Sequence, residues 1–240
     1  MAETDLWERS SQWWQDEFTE GADPEYVEQI EPLFVAGLGN SQRLLDVGAG
    51  EGQLSRRARE AGVATVVGID PTDNQLTVAA RRGGDVAYIR GSADSIPLPD
   101  GSFDCVVACL VFEHIHTVDA SIAEVARVLE PGGRFLFFLN HPLLQTPNSG
   151  WIDDHILEEQ YWRIGAYLAE DETLEEVDKN VFIPFVHRPL SRYINALAGN
   201  SLFVIRMHEP APPPGFLAIA DEYQAASTIP RLLFLECVKQ

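Results

Sequence analysis

Asp46, Gly48, Gly50, Gly52 and Asp70 are the residues whose types and spacing point to joint chemistry. The first four lie in "RLLDVGAGEG", residues 43–52, where apolar residues give way to an acid and then to alternating glycines. Such a pattern predicts a buried strand running into a glycine turn that opens a helix. The turn lets backbone approach a ligand without Cβ obstruction and aims free helix N–H groups at it. Asp70 ends "VVGID", 22 residues after Gly48. An acid at that spacing can accept both ribose hydroxyls of an adenosine, as dinucleotide and S-adenosylmethionine sites both require.

The glycine spacing separates those two ligands. A dinucleotide loop reads G-x-G-x-x-G, and here its third position is Gln53. The loop instead reads G-x-G-x-G behind Asp46, an acid that suits a ligand with a cationic amine and repels a pyrophosphate.

These residues need a sheet to hold them, and the chain supplies its rhythm. Strands are predicted at 43–47, 64–69, 86–90, 103–109 and 133–140, with helices at 51–61, 73–82 and 118–129 between them. The alternation implies a parallel sheet with helices on both faces. Two helices precede it, one carrying Trp7, Trp13, Trp14 and Phe18 and one starting at Pro24 behind Asp23. After Asn140 the rhythm breaks into an aromatic segment, 141–180, placed where a lid would sit. The chain then resumes with "VFIPFV", a helix near 190–198, the strand "SLFVIRM", a proline-rich loop and a last strand, "PRLLFLECV". One domain over 1–240 follows: N-terminal helices to 40, a cofactor-binding core to 140, the lid to 180 and the rest of the sheet to 240.

Composition narrows the function. The 240 residues carry 17 basic against 37 acidic side chains, a net charge of −20, which disfavours a nucleic-acid partner. No apolar run reaches membrane-spanning length and the N-terminus lacks a signal-peptide pattern, so a cytoplasmic protein is expected. Cys105, Cys109 and Cys237 have no metal spacing and read as buried thiols.

The runs "LLDVGAGEG", "GIDPT", "GSADSIPLPDGSFDCVVACLVFEHI" and "LEPGGRFLF" together resemble the class I S-adenosylmethionine-dependent methyltransferases, in the group that includes the quinone-biosynthesis enzymes. The resemblance covers about residues 42–140, and "HRPLSRYINAL" extends it to a segment common in small-molecule members. It implies a Rossmann-like, seven-stranded, mostly parallel α/β sheet whose last strand inserts antiparallel. It also implies that Asp46, Gly48, Ala49 and Gly50 hold the methionine end of S-adenosyl-L-methionine. Asp70 would bind the ribose, Pro71 would lie against the adenine, and Ala93 and Asp94 would meet the adenine edge. Backbone near Cys109 would face the amino acid moiety.

The transfer itself is an in-line displacement from a sulfonium, which demands positioning and a dry pocket rather than a metal. A carbon or oxygen nucleophile also needs its proton removed, and His141 after the fifth strand and His187 before "RPLSRY" are the candidate bases. The resemblance places His114, in "FEHI", near the cofactor more than in a chemical step. Trp151, Tyr161 and Trp162 in the lid, with Arg188 and Tyr193, are the candidates for contact with a small-molecule acceptor. The acceptor pocket is expected from 141–180 and 209–228. The acidic run "EDETLEEVD" reads as a solvated face or helix. A non-catalytic cofactor-binding protein of the same fold is the alternative. A nicotinamide oxidoreductase ranks lower, because position 53 is glutamine and no Tyr-x-x-x-Lys relay is present.

Overall fold

The computed structural model describes residues 3–19, 23–156, 158–220 and 226–240. Helix α1 (Glu3–Phe18) comes first, and a wide helical turn at Tyr26–Ile30 leads into α2 (Glu31–Leu38). The alternating core follows as β1 (Arg43–Val47), α3 (Gln53–Glu60), β2 (Thr65–Asp70), α4 (Asp73–Arg82), β3 (Ala87–Arg90) and β4 (Phe103–Cys109). A single 3-10 turn, Phe112–His114, precedes α5 (Val118–Val128) and β5 (Leu129–Asn140). The bounds of β1, β4 and α4 are those expected from the sequence. β5 begins four residues earlier than expected, because Leu129 already pairs with Phe103 before a register shift.

Beyond β5 come two hairpins, β6 (Gly150–Asp154) with β7 (Glu159–Arg163), and β8 (Asp171–Asp178) with β9 (Val181–His187). Then follow α6 (Leu190–Gly199), β10 (Leu202–His208), a short α7 (Pro214–Leu217) and β11 (Leu232–Lys239). The main sheet has seven strands in the order β10-β11-β5-β4-β1-β2-β3. β11 runs antiparallel to both neighbours, and the other pairings are parallel.

Two expectations need correction. "VFIPFV" belongs to β9, which pairs with β8 and not with the sheet, so the segment outside the sheet extends to His187 rather than residue 180. The acidic run is solvated, as expected, but in a strand rather than a helix. β8 turns mostly solvated carboxylates outward and hydrogen-bonds along the more apolar β9.

Strand alternation builds a core on each face of the sheet. On one, Leu45, Val47, Val106, Phe135 and Phe137 pack against α5 and α6. On the other, Leu44, Val107, Leu136 and Phe138 pack with Phe34 of α2 and Leu54 of α3. Phe138 stacks on Phe234 of β11 with centroids 4.1 Å apart. The adjacency of β4, β1, β2 and β3 brings their carboxyl ends side by side, and the site is built there.

Candidate functional site

The glycine loop after β1 is fixed to the end of β2. Gly48 and Ala49 both donate their N–H to the Ile69 carbonyl at 2.9 Å, and Gly50 donates to Asp70 Oδ2 at 2.9 Å. Asp70 also accepts from the Thr72 backbone N–H at 2.9 Å and from its hydroxyl. Burial raises the Asp70 pKa, and the Thr72 and Gly50 bonds oppose that rise. A Cβ at Gly48 would sit 2.4 Å from Val111 Cγ2, whereas one at Gly50 would meet open space. Both have positive φ, +72° and +54°. The loop is therefore closed behind Gly48 and open at Gly50.

A cavity of about 320 Å³ lies beside it. Gly48, Ala49, Gly50, Asp70, Pro71 and Cys109 border it on the strand side, and Ala93 and Asp94 after β3 close one end. Asp94 is held by Ser92 at 2.6 Å and Thr117 at 2.9 Å, and the Ser92 bond first of all lowers its pKa. The described lining contains the carboxylates of Glu51, Asp70 and Asp94 and no lysine or arginine. Glu51 is offset from outside the lining by Arg56 at 2.7 Å and Arg82 at 2.6 Å. Such a wall suits an adenosine that carries positive charge, as S-adenosylmethionine does at its sulfonium and amine. It opposes a pyrophosphate.

Eight of the nine cofactor candidates thus border one cavity, and Asp46 does not. It sits beneath the loop, 3% exposed, and accepts from Ser55 Oγ at 2.7 Å. Strand alternation explains this: Asp46 shares the face of Leu44, which α3 covers. Burial pushes its pKa up to about 7, against the Ser55 bond.

The remaining candidates lie elsewhere. His141 Nε2 meets Glu209 Oε1 at 2.8 Å, and its Nδ1 accepts from the Leu143 N–H. His187 Nε2 donates to the Tyr167 carbonyl at 2.8 Å. Arg188 is buried and clamps the carbonyls of Phe112, Ile115 and His116. Tyr193 packs edge-on against Phe137 in the core. Trp151 and Trp162 face each other across the first hairpin with centroids 5.7 Å apart, and Tyr161 is exposed. None of these borders the cavity.

Its outer wall comes instead from Trp7, Trp14 and Phe18 of α1, with Tyr26 and His114. The seven-residue step from Trp7 to Trp14 and the four-residue step to Phe18 mark one helix face, a signal present in the sequence. Trp14, Phe18, Leu110 and His114 also border a second cavity of about 190 Å³. Its other walls include Gln29, Asn140, Gln145 and, from β9, Ile183 and Phe185. Of segment 141–180, Gln145 and Val177 border this second cavity. None of the described residues of 209–228 borders it, and residues 221–225 fall outside the described ones.

Residues 45–137 match the protein family described as a methyltransferase domain. A ubiquinone/menaquinone biosynthesis C-methyltransferase of Methylobacterium nodulans is 40% identical over 136 residues, 54% of this chain and 54% of that one. A demethylmenaquinone methyltransferase of Renibacterium salmoninarum is 36% identical over 102 residues, 42% and 43% of the two chains. The chain spans about half the length of the curated relatives it matches. The crystal structure of an S-adenosylmethionine-dependent methyltransferase from Mesorhizobium loti superposes with a TM-score of 0.74 at 27% identity. It covers 87% of this chain and 96% of that one. Among the described residues no helix is long and apolar enough to cross a membrane.

Proposed function

We propose, from its membership of the class I S-adenosylmethionine-dependent methyltransferases, that this chain moves a methyl group to a small-molecule acceptor by in-line displacement. The observation that carries this reading is the wall of the larger cavity, rich in carboxylates and free of lysine and arginine among its described residues. S-adenosylmethionine, when bound, supplies a methyl carbon already activated by the sulfonium charge.

The chain's own groups then have distinct tasks. Asp70 receives the ribose hydroxyls while its bonds to Gly50 and Thr72 keep the carboxylate in place. The Ala93 backbone and Asp94 meet the adenine edge, and Pro71 lies along its face. The loop at Gly48–Gly50 and the backbone at Cys109 enclose the amino acid end. Asp46 acts at one remove, through Ser55 at the start of α3. Trp7 and Trp14 of α1 exclude water, which strengthens every charge interaction inside. The net charge of −20 favours a small molecule over a nucleic acid as acceptor.

Calorimetric titration with S-adenosylhomocysteine and with NAD tests the ligand assignment. Binding of the first and not the second is expected. Incubation with methyl-labelled S-adenosylmethionine and a cell extract then tests the acceptor class. Label is expected in a metabolite fraction; label in RNA or protein alone contradicts the small-molecule reading.

A further inference from the structure

Granted the proposed methyl transfer, we infer that the second cavity is the acceptor site, that it takes an uncharged aromatic hydroxyl compound, and that His114 Nε2 receives the hydroxyl proton. His114 stands in the wall common to both cavities, between the cofactor side and the chamber under the second hairpin.

Its tautomer is set by geometry. Nδ1 lies 2.8 Å from the Pro184 carbonyl, an oxygen that can only accept, so Nδ1 carries the hydrogen. Nε2 is then a lone pair, and it is buried with no partner. The ring is 3% exposed and is gripped by Trp7 and Phe185, with centroids 4.9 and 4.7 Å away. Burial drives the His114 pKa down to about 4, so the ring is neutral at pH 7.

Two residues lining the same chamber carry further orphaned atoms. Gln29 donates its amide nitrogen to the Ala211 carbonyl, which leaves Oε1 as a buried acceptor without a donor. Trp14 Nε1 is a buried donor without an acceptor. Two acceptors and one donor ask for a ligand that mainly donates. A buried polar group left unmatched costs about 1–3 kcal/mol, so a ligand that supplies the match is selected. Trp13, Trp14, Phe18 and Phe185 provide flat apolar walls for a ring. The charges among the chamber's described residues oppose an anion: Asp23 and Glu25 are carboxylates, and the one arginine, Arg231, is held by Glu25 at 2.8 Å.

A preformed phenolate is therefore disfavoured, and the proton leaves during transfer. The oxygen–methyl bond forms as the methyl–sulfur bond breaks, and the sulfur keeps the electron pair of the broken bond. The hydroxyl proton passes to Nε2, so the positive charge moves from sulfonium to imidazolium. A weak base is sufficient, because a methylated oxonium is far more acidic than an imidazolium.

The test titrates protein saturated with S-adenosylhomocysteine against 2-naphthol, 2-methoxynaphthalene and 2-naphthoate. The naphthol is expected to bind at least about tenfold more tightly than either relative. In protein labelled with nitrogen-15 histidine, only the naphthol is expected to shift the His114 Nε2 signal. The variant His114→Phe, titrated at an S-adenosylhomocysteine concentration that saturates it, is expected to bind naphthol and its methyl ether alike. If that variant does not fold, the wild-type nitrogen signal decides. Equal binding of naphthol and ether by wild type, tighter naphthoate, or no naphthol binding by the loaded protein overturns the inference. Failure of wild type to bind S-adenosylhomocysteine would instead overturn the methyltransferase reading.

Discussion

The Gly50 N–H donates to Asp70 Oδ2 at 2.9 Å, so the tip of the glycine loop after β1 is tied to the last residue of β2. The bond is possible because the two strands are parallel neighbours in register, with Val47 opposite Ile69. Their carboxyl ends are level, and one carboxylate reaches the adjoining loop. The loop is thus organised by the same residue that is proposed to receive the ribose, and such preorganisation lowers the ordering cost of binding.

Asp70→Asn separates charge from shape. An amide keeps the size but offers one acceptor oxygen, and it cannot serve Gly50, Thr72 and a ribose as a carboxylate does. Hydrogen bonds to charged groups contribute about 1.5–3 kcal/mol, so S-adenosylhomocysteine affinity should fall roughly 10- to 100-fold. Calorimetry measures it directly, and unchanged affinity would remove Asp70 from the site.

The two loop glycines should fail in different ways. Gly48→Ala places a methyl against Val111 in addition to the left-handed strain, whereas Gly50→Ala meets only the strain. Left-handed backbone costs a non-glycine residue about 1–2 kcal/mol, and the Val111 overlap about 1–3 kcal/mol more. Gly48→Ala should therefore melt lower than Gly50→Ala, and Val111→Ala should recover part of the loss at Gly48 and none at Gly50. A double-mutant cycle by thermal unfolding checks this; equal melting temperatures for the two single variants would contradict the packing.

What was legible in the sequence was local. The strand at 43–47, the glycine turn and Asp70 follow from short-range rules, and each stands where those rules put it. Asp46 reads as a ligand contact because it adjoins the loop, yet period-two alternation turns it onto the α3 face beside Leu44. The alternation is as local a signal as the motif, and the alternation fixes which face Asp46 takes. The histidine partners were not readable, since His141 meets Glu209 across 68 residues and His114 meets Pro184 across 70. The aromatic wall of α1 needs helix packing over the strand ends, which no local pattern states. β8 escaped recognition because both its faces are largely solvated, and only its pairing with β9 makes it a strand.

His141 and His187 sit outside both cavities, with their ring nitrogens bonded to Glu209 and to the Tyr167 carbonyl. His141→Ala and His187→Ala should leave S-adenosylhomocysteine affinity within about twofold of wild type. Each should cost about 1 kcal/mol of stability for the lost bond, with more at these buried positions if a partner is stranded. Denaturant titration and calorimetry on the same samples check both parts. A variant that keeps its stability and loses ligand binding would return that histidine to the site.

Asp46 makes the stability of the protein depend on pH with a defined sign. In the unfolded chain it titrates near 3.8, and in the fold burial pushes it up to about 7. Between those values the native state holds a proton that the unfolded state has released, so stability falls as pH rises from about 4 to 7 and then levels. Glu113, also raised to about 7 by burial, contributes with the same sign. His114 opposes them: it is near 4 in the fold and 6.5 unfolded, so its contribution is lost as pH falls through that window. Asp46→Asn keeps an acceptor for Ser55 Oγ and removes one of the three titrations. Its stability relative to wild type should therefore grow steadily from pH 4.5 to 7 and stay constant above. Urea unfolding across that range gives the difference; a flat difference would mean that Asp46 is ionised in the fold throughout.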